Sequence, residues 1–349
     1  MLQQARTIGM RRVRRSARRW RRTFTSRALI LMYHRVANLP SDPQLLCVTP
    51  EHFAEHLEIL RRDYQPLSLL GLAKALGEGT LPNRAVVVTF DDGYADNLEN
   101  AAPVLRRQGI PATVFVTSGA LGRHEEFWWD ELDRLILQPG VLPDPLELRI
   151  GERVCRWETG PSATYTVDDA RLHRDWHVEQ PVDLGPRQHL YRSLYDVLQP
   201  LPAEPRSCAI EQLRTLAGVD SAGRSTHRTM TAAEVVRLSQ DELIEVGAHT
   251  VTHPLLATLS VATQRGEIEQ SKSCLEDILG KPVVSFSYPH GSRGAETVAL
   301  VRAAGFTCAG SSDPDPVWPD ADPYQLPRVV VRDWDGDMFA RQMKEWMRG

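Results

Sequence analysis

Two apolar runs of strand length in this chain end in residues that can do chemistry. Residues 85–90, Ala-Val-Val-Val-Thr-Phe, lead into Asp91, Asp92 and Gly93. Residues 243–248, Leu-Ile-Glu-Val-Gly-Ala, lead into His249, Thr250, Val251, Thr252, His253 and Pro254. Near-continuous β-branched runs are what strands buried on both faces require, and a Gly just beyond one can turn the chain. Both polar clusters therefore fall at the carboxyl ends of strands of one sheet or barrel. In barrels of parallel strands, that rim is where chemistry is done.

Further strand-like runs fall near residues 29–33, 113–117, 283–288, 306–309 and 328–332, with helical patterns at 51–62, 98–108 and 264–279 between them. The second of these helices stops at Gly109 with Pro111 beyond. The third carries Ile268, Leu275 and Ile278 on one side and ends at Gly280, followed by Pro282. Alternating β and α elements imply parallel strands, so the expected class is α/β.

Asp92, His249 and His253 are ligand types that hold a catalytic zinc while leaving a position open for water or substrate. Asp91, the adjacent carboxylate, could take a proton from such a water. Each half has a plainer reading. Asp-Asp-Gly after a strand is often a turn with a helix cap, and two histidines four apart can be surface or packing residues. The conjunction carries the argument. Zinc suits the set, although cobalt, nickel or iron would accept the same ligands.

The string Thr89-Phe90-Asp91-Asp92-Gly93 resembles the first motif of the polysaccharide deacetylases with a NodB homology domain, carbohydrate esterase family four, and His249 to Pro254 resembles the second. The resemblance implies that Asp91 is the general base and that Asp92, His249 and His253 hold the metal. Residues 285–291, Ser-Phe-Ser-Tyr-Pro-His-Gly, resemble the third motif, which in many members reads Arg-x-Pro-x-Gly. It assigns Tyr288, Pro289, His290 and Gly291 to the oxyanion and substrate loop, with the main-chain amide of His290 as the oxyanion donor. Ser287 stands at the Arg position. An Arg beside a carboxylate favours its charged form, and Arg328 and Arg332 are the candidates to supply that cation. The family's last motif places a histidine near the C-terminus, yet no histidine follows His290. Residues 28–36, Ala-Leu-Ile-Leu-Met-Tyr-His-Arg-Val, are similar to the opening strand of a bacterial branch related to poly-N-acetylglucosamine deacetylases, in which motif order is permuted. His34 is thus the candidate general acid. Its plainer reading is a buried histidine bonded to backbone at a strand end.

The fold that the resemblance implies is a distorted, incomplete (β/α)7 barrel, formed by residues 28–121 and 230–340, with an inserted α+β subdomain at 122–229. In the insertion, residues 127–136 read as an amphipathic helix, 146–157 as a hairpin broken at Gly151 and Glu152, and 188–198 and 209–216 as helices. Rising from the active rim, it is a candidate substrate lid. Trp128 and Trp129 are expected to pack it onto the barrel, with stacking on sugar rings as the alternative.

Residues 1–27 hold ten Arg and no acidic residue, so with a whole-chain net charge of −4 the remainder carries −14. The Arg-rich run at 11–22 lacks the apolar stretch of a secretory signal, so a cytoplasmic location is expected. With Ile8, Val13, Trp20 and Phe24 interleaved, the arm could lie on the anionic inner face of the membrane. A solvated arm without a partner is the alternative. A nucleic-acid role is disfavoured by the acidic remainder. Five scattered cysteines without a CxxC pair suggest neither a disulfide framework nor a structural zinc site.

The function implied is metal-dependent removal of an N-acetyl group from an amino sugar, in a cell-envelope polysaccharide or its lipid- or nucleotide-linked precursor. An N-deformylase, an O-ester or cyclic-amide hydrolase, and a non-catalytic glycan-binding protein are the alternatives.

Overall fold

Seven parallel strands build a curled sheet in the computed structural model, which describes residues 26–348. In chain order they are β1 (Ala28–Tyr33), β2 (Ala85–Phe90), β3 (Ala112–Val116), β4 (Ile244–Ala248), β5 (Ser285–Ser287), β6 (Cys308–Gly310) and β7 (Val329–Val330), in spatial order β6-β5-β4-β3-β2-β1-β7. A further two-residue strand, Gln65–Pro66, pairs with the start of β2. This is the expected half-barrel. The Arg-rich run at 11–22 lies outside the described residues.

The sheet's strands are apolar on both faces because both are covered. Leu29, Leu31, Tyr33, Val86, Val88 and Phe90 belong to one buried cluster with Phe53, Leu57 and Leu60 of helix α1 (Pro50–Asp63). The alternate residues Ala28, Ile30, Ala85 and Val87 join a second cluster with Leu69, Leu72 and Phe115. Period-two alternation thus feeds two cores from one strand. Helix α1 starts where Thr49 accepts a hydrogen bond from the His52 N–H and Pro50 occupies the first turn, where its missing N–H costs nothing.

One local feature differs from the sequence reading. The helix expected at 98–108 opens with a π-helical turn, Asn97–Ala101, before its α-helical part, Ala102–Gln108. Pro103 cannot donate to the carbonyl four residues back, and the wider turn just before it absorbs that gap. The His249–His253 segment beyond β4 is irregular, with Thr250 and His253 at φ of 64° and 55°.

The insertion has its own core. Helix α2 (Trp128–Ile136) packs Trp129, Leu132 and Ile136 against Leu190, Tyr191 and Leu194 of α3 (Pro186–Leu198) and Ile210 and Leu213 of α4 (Ala203–Ala217), with Leu146 and Leu148 of the hairpin. Tyr94, from the loop after β2, joins that cluster and ties it to the barrel. No helix among the described residues is long and apolar enough to cross a membrane.

Candidate metal centre at the carboxyl rim

Asp91 and Asp92 leave β2 through a turn closed by Gly93, whose N–H donates to the Asp91 carbonyl at 2.9 Å. Asp92 has φ of 74° and Gly93 of 83°. The loop is fastened on both sides, by Thr117 N–H to the Asp92 carbonyl and Met230 N–H to the Gly93 carbonyl. His249 continues β4, its N–H donating to the Val116 carbonyl at 3.0 Å. Beyond it, the Glu267 carboxylate accepts from the N–H groups of Val251 and Thr252, both at 2.8 Å. Of six non-glycine residues with positive φ among those described, four sit on this rim: Asp92, Thr250, His253 and His290. Such backbone strain gathers where surrounding structure holds a functional geometry.

Asp92, His249 and His253 come together with ligand atoms all within 4.8 Å of one another, and all three residues are buried. Asp92 Oδ1 lies 3.6 Å from His249 Nε2 and 3.3 Å from His253 Nε2. No hydrogen-bond donor among the described residues reaches that buried oxygen. A carboxylate oxygen left unpaired between two imidazole nitrogens is what a cation would satisfy, so the donor set fits a divalent metal. His249 Nδ1 lies 2.8 Å from the Ser287 carbonyl. A carbonyl only accepts, so Nδ1 carries the proton and Nε2 presents its lone pair to the centre. Burial lowers the pKa of both histidines, keeping the uncharged, ligating form, and it raises that of Asp92 together with the charge of Asp91.

Asp91 is held by Arg328, whose Nη1 and Nη2 donate to Oδ1 and Oδ2, each at 2.7 Å. The same guanidinium donates to Ser287 Oγ at 2.7 Å, Thr89 Oγ1 at 3.2 Å and the Ser311 carbonyl at 2.8 Å. Burial would push the Asp91 carboxyl up, but Arg328, helped by His249, holds it well below the usual carboxylate range. Ser287, which stands where the third motif was expected to carry Arg, accepts from the Arg328 guanidinium instead. A Cβ on Gly310 would lie 2.8 Å from Arg328 Cδ and Nε, so only glycine leaves room for that side chain. Arg332, the other candidate, bonds the Leu45 carbonyl at 2.7 Å and pairs with Glu179 of the insertion.

His34 follows β1 and is partly exposed at the rim. Its pKa is lowered to about 4, first by burial, with Asp91 opposing and Arg328, Arg332 and His249 adding to the drop. Pro289–Gly291 form a single tight turn with His290 at φ of 53° and exposed, and the His290 ring centroid stands 4.6 Å from that of His253. Tyr288 points elsewhere: it is fully buried and its hydroxyl donates to the Tyr324 carbonyl.

The insertion reaches this centre through Trp129, one of the two tryptophans singled out in the sequence. The Trp129 ring lies 4.9 Å from the His253 ring and stacks at 4.5 Å on Phe127. Its indole N–H donates to Tyr94 Oη at 2.9 Å, and that hydroxyl donates to Asp130 Oδ2 at 2.6 Å. Asp130 is pushed up to about 7, first by burial, with Arg35 opposing. The signal was present: acidic residues Asp130, Glu131 and Asp133 lie buried within α2 and need partners. Arg206 of α4 lies over the Trp128 ring and donates to the Thr252 carbonyl at 3.3 Å.

A curled sheet with an Asp-His-His cluster beside an Arg-bound Asp defines a deacetylase-type half-barrel. The fold matches the Streptococcus pyogenes deacetylase PplD in complex with acetate, at a TM-score of 0.57 and 16% identity, over 91% of this chain and 99% of that one. The chain belongs to the polysaccharide deacetylase family, whose profile matches residues 78–140 and 174–309. It is similar to the poly-beta-1,6-N-acetyl-D-glucosamine N-deacetylase of Escherichia coli (strain K12), 33% identical over 84 residues, which is 24% of this chain and 12% of that protein. The protein of the same name from Staphylococcus epidermidis is 34% identical over 110 residues, 27% of this chain and 37% of its own length. The chain therefore aligns with well under two thirds of either relative.

Proposed function

We propose that this chain is a metal-dependent hydrolase that removes an N-acetyl group from an amino sugar of a polysaccharide. The observation that carries the reading is the buried Asp92, His249 and His253 cluster beside a carboxylate, Asp91, that Arg328 keeps ionised. A divalent ion held by those three side chains, zinc in this assignment, would polarise the acetamide carbonyl and make a water more acidic. Asp91 takes a proton from the attacking water as its oxygen bonds to the carbonyl carbon. The His290 main-chain N–H donates to the negative charge developing on the carbonyl oxygen. His34, uncharged at rest, receives the proton that Asp91 took from the water and hands it to the nitrogen as the carbon–nitrogen bond breaks, which returns both side chains to their starting states. The products are acetate and a free amino sugar.

The likeness to two poly-β-1,6-N-acetylglucosamine deacetylases supports a β-linked N-acetylated polymer, or its lipid- or nucleotide-linked precursor, as substrate class. The contrast between an Arg-rich residue 1–27 segment and an acidic remainder supports a cytoplasmic protein held at an anionic membrane face. Flotation of the chain lacking residues 1–25 with anionic vesicles tests that part; unchanged association removes it. The activity itself is tested by acetate release from β-linked N-acetylglucosamine oligomers by metal-loaded protein. Release of formate from N-formyl analogues in preference to acetate would reassign the acyl group, and no release of either would remove the hydrolase reading.

A further inference from the structure

The two metal-site histidines are held in different ways. His249 has its ring fixed through Nδ1, which donates to the Ser287 carbonyl at 2.8 Å. His253 has no such bond: its Nδ1 is buried and meets no hydrogen-bond partner among the described residues. A histidine that binds a metal ordinarily gives its other ring N–H to a carboxylate, a carbonyl or a water, and that bond sets the angle of the ring. The His253 main-chain N–H donates to Thr250 Oγ1 at 3.0 Å, which anchors the backbone but leaves the imidazole its two side-chain torsions. Rings surround it instead. Between centroids, Trp129 of the insertion stands 4.9 Å away at an interplanar angle of 59°, His290 4.6 Å away at 71° and His249 4.8 Å away at 63°.

Of these neighbours, Trp129 is the one anchored in the insertion. It is 5% exposed, it stacks on Phe127 with the ring planes 7° apart, and its indole N–H is tied to Tyr94 Oη, which donates in turn to Asp130. A fixed plane packed against an imidazole limits the angles that ring can take, because close-packed side chains leave few open rotamers. The insertion also grips the backbone one residue earlier, where Arg206 Nη2 donates to the Thr252 carbonyl at 3.3 Å. We propose that Trp129 is a positioning residue of the metal centre, holding the His253 imidazole with Nε2 toward Asp92 in place of a hydrogen bond at Nδ1. The proposal rests on the metal-centre reading. It makes the insertion part of that centre, so displacing the insertion would loosen a metal ligand as well as open the site.

Two readouts on the full chain test this without turnover: zinc affinity by competition with a chromophoric chelator, and the visible absorption of the cobalt(II)-loaded protein, which reports ligand number and geometry. Trp129→Leu should weaken zinc binding by roughly tenfold or more, the effect of losing a group that orients a metal-binding histidine, and should change the cobalt bands. Trp129→Phe, which keeps a flat ring beside Phe127, should restore most of both. Leu213→Ala is the comparison, since Leu213 belongs to the same insertion core about two helical turns along α4 from Arg206. It lowers stability to urea without removing the ring beside His253. Zinc affinity within about twofold of wild type in Trp129→Leu, or a loss in Leu213→Ala as large as that in Trp129→Leu, overturns the proposal and leaves Trp129 a packing residue. Wild-type protein that takes up neither ion overturns the metal-centre reading and this inference with it, whereas normal wild-type uptake with an unmoved Trp129→Leu overturns this inference alone.

Discussion

Arg328 and Asp91 lie 237 residues apart in the chain and meet through two parallel hydrogen bonds of 2.7 Å, with Arg328 fully buried. This fork-to-fork geometry is the strong, orienting form of a carboxylate contact. It fixes the plane of the Asp91 carboxyl and keeps it charged in a setting that would otherwise favour the neutral acid.

Arg328→Gln should therefore shift the acid limb of the kcat/KM profile to higher pH. In the proposed mechanism Asp91 works as a base only when ionised, and its folded pKa lies below its unfolded value. Its activity and its stabilising contribution are present above the unfolded value, about 3.9, and are lost as pH falls through the folded one. Without Arg328, burial raises the carboxyl past the usual range. A profile with an unmoved acid limb would show that Arg328 does not tune Asp91. The same substitution strands a buried charge and should cost roughly 3–5 kcal/mol of stability, readable as a lower urea midpoint.

Asp92→Ala, His249→Ala and His253→Ala should each weaken zinc binding to metal-stripped protein by more than about tenfold, measured by calorimetry. Each removes one of the three side chains proposed to hold the ion. Stripping the wild type with a chelator should abolish acetate release, and adding zinc back should restore it. Wild-type protein that takes up no divalent ion would defeat the assignment.

His34→Gln should lower kcat on N-acetyl sugars by roughly 10²–10⁴-fold with little change in KM. An activated aryl acetate, whose leaving group departs without a proton, should be far less affected. Equal losses on both substrates would mean that His34 is structural.

Gly310→Ala should impair catalysis without touching a ligand. The new methyl would lie 2.8 Å from Arg328 Cδ and Nε, pushing the guanidinium off Asp91. Overpacking of this kind costs about 1–3 kcal/mol. Zinc affinity should remain near wild type while kcat falls, a separation that calorimetry and turnover together can read.

Tyr94→Phe should destabilise the protein by about 1–3 kcal/mol by urea unfolding. It leaves the Trp129 indole N–H and the Asp130 carboxylate without their shared partner. A change within experimental error would show that water replaces the hydroxyl.

Much of this centre is legible in sequence because strand periodicity and strand ends are local. Residues 85–90 and 244–248 announce buried strands by composition, so Asp91, Asp92 and His249 must fall on the rim. The partner of Asp91 could be narrowed only to Arg328 or Arg332. Those two lie four apart, and nothing local says that one turns inward to the carboxylate while the other bonds Leu45 and Glu179. The contact of Trp129 with His253 is less legible still, since it depends on how an insertion docks. The π-helical turn at Asn97 required noticing what Pro103 cannot donate.

The sheet order carries one more consequence. β7 brings Arg328 to the sheet edge beside β1, the first strand made. During synthesis the carboxylates and both metal-site histidines therefore leave the ribosome well before the cation that orients Asp91. A chain that stops before β7 would carry Asp92, His249 and His253 but lack the guanidinium that orients Asp91, so in the proposed mechanism the base is set only once β7 has joined the sheet edge.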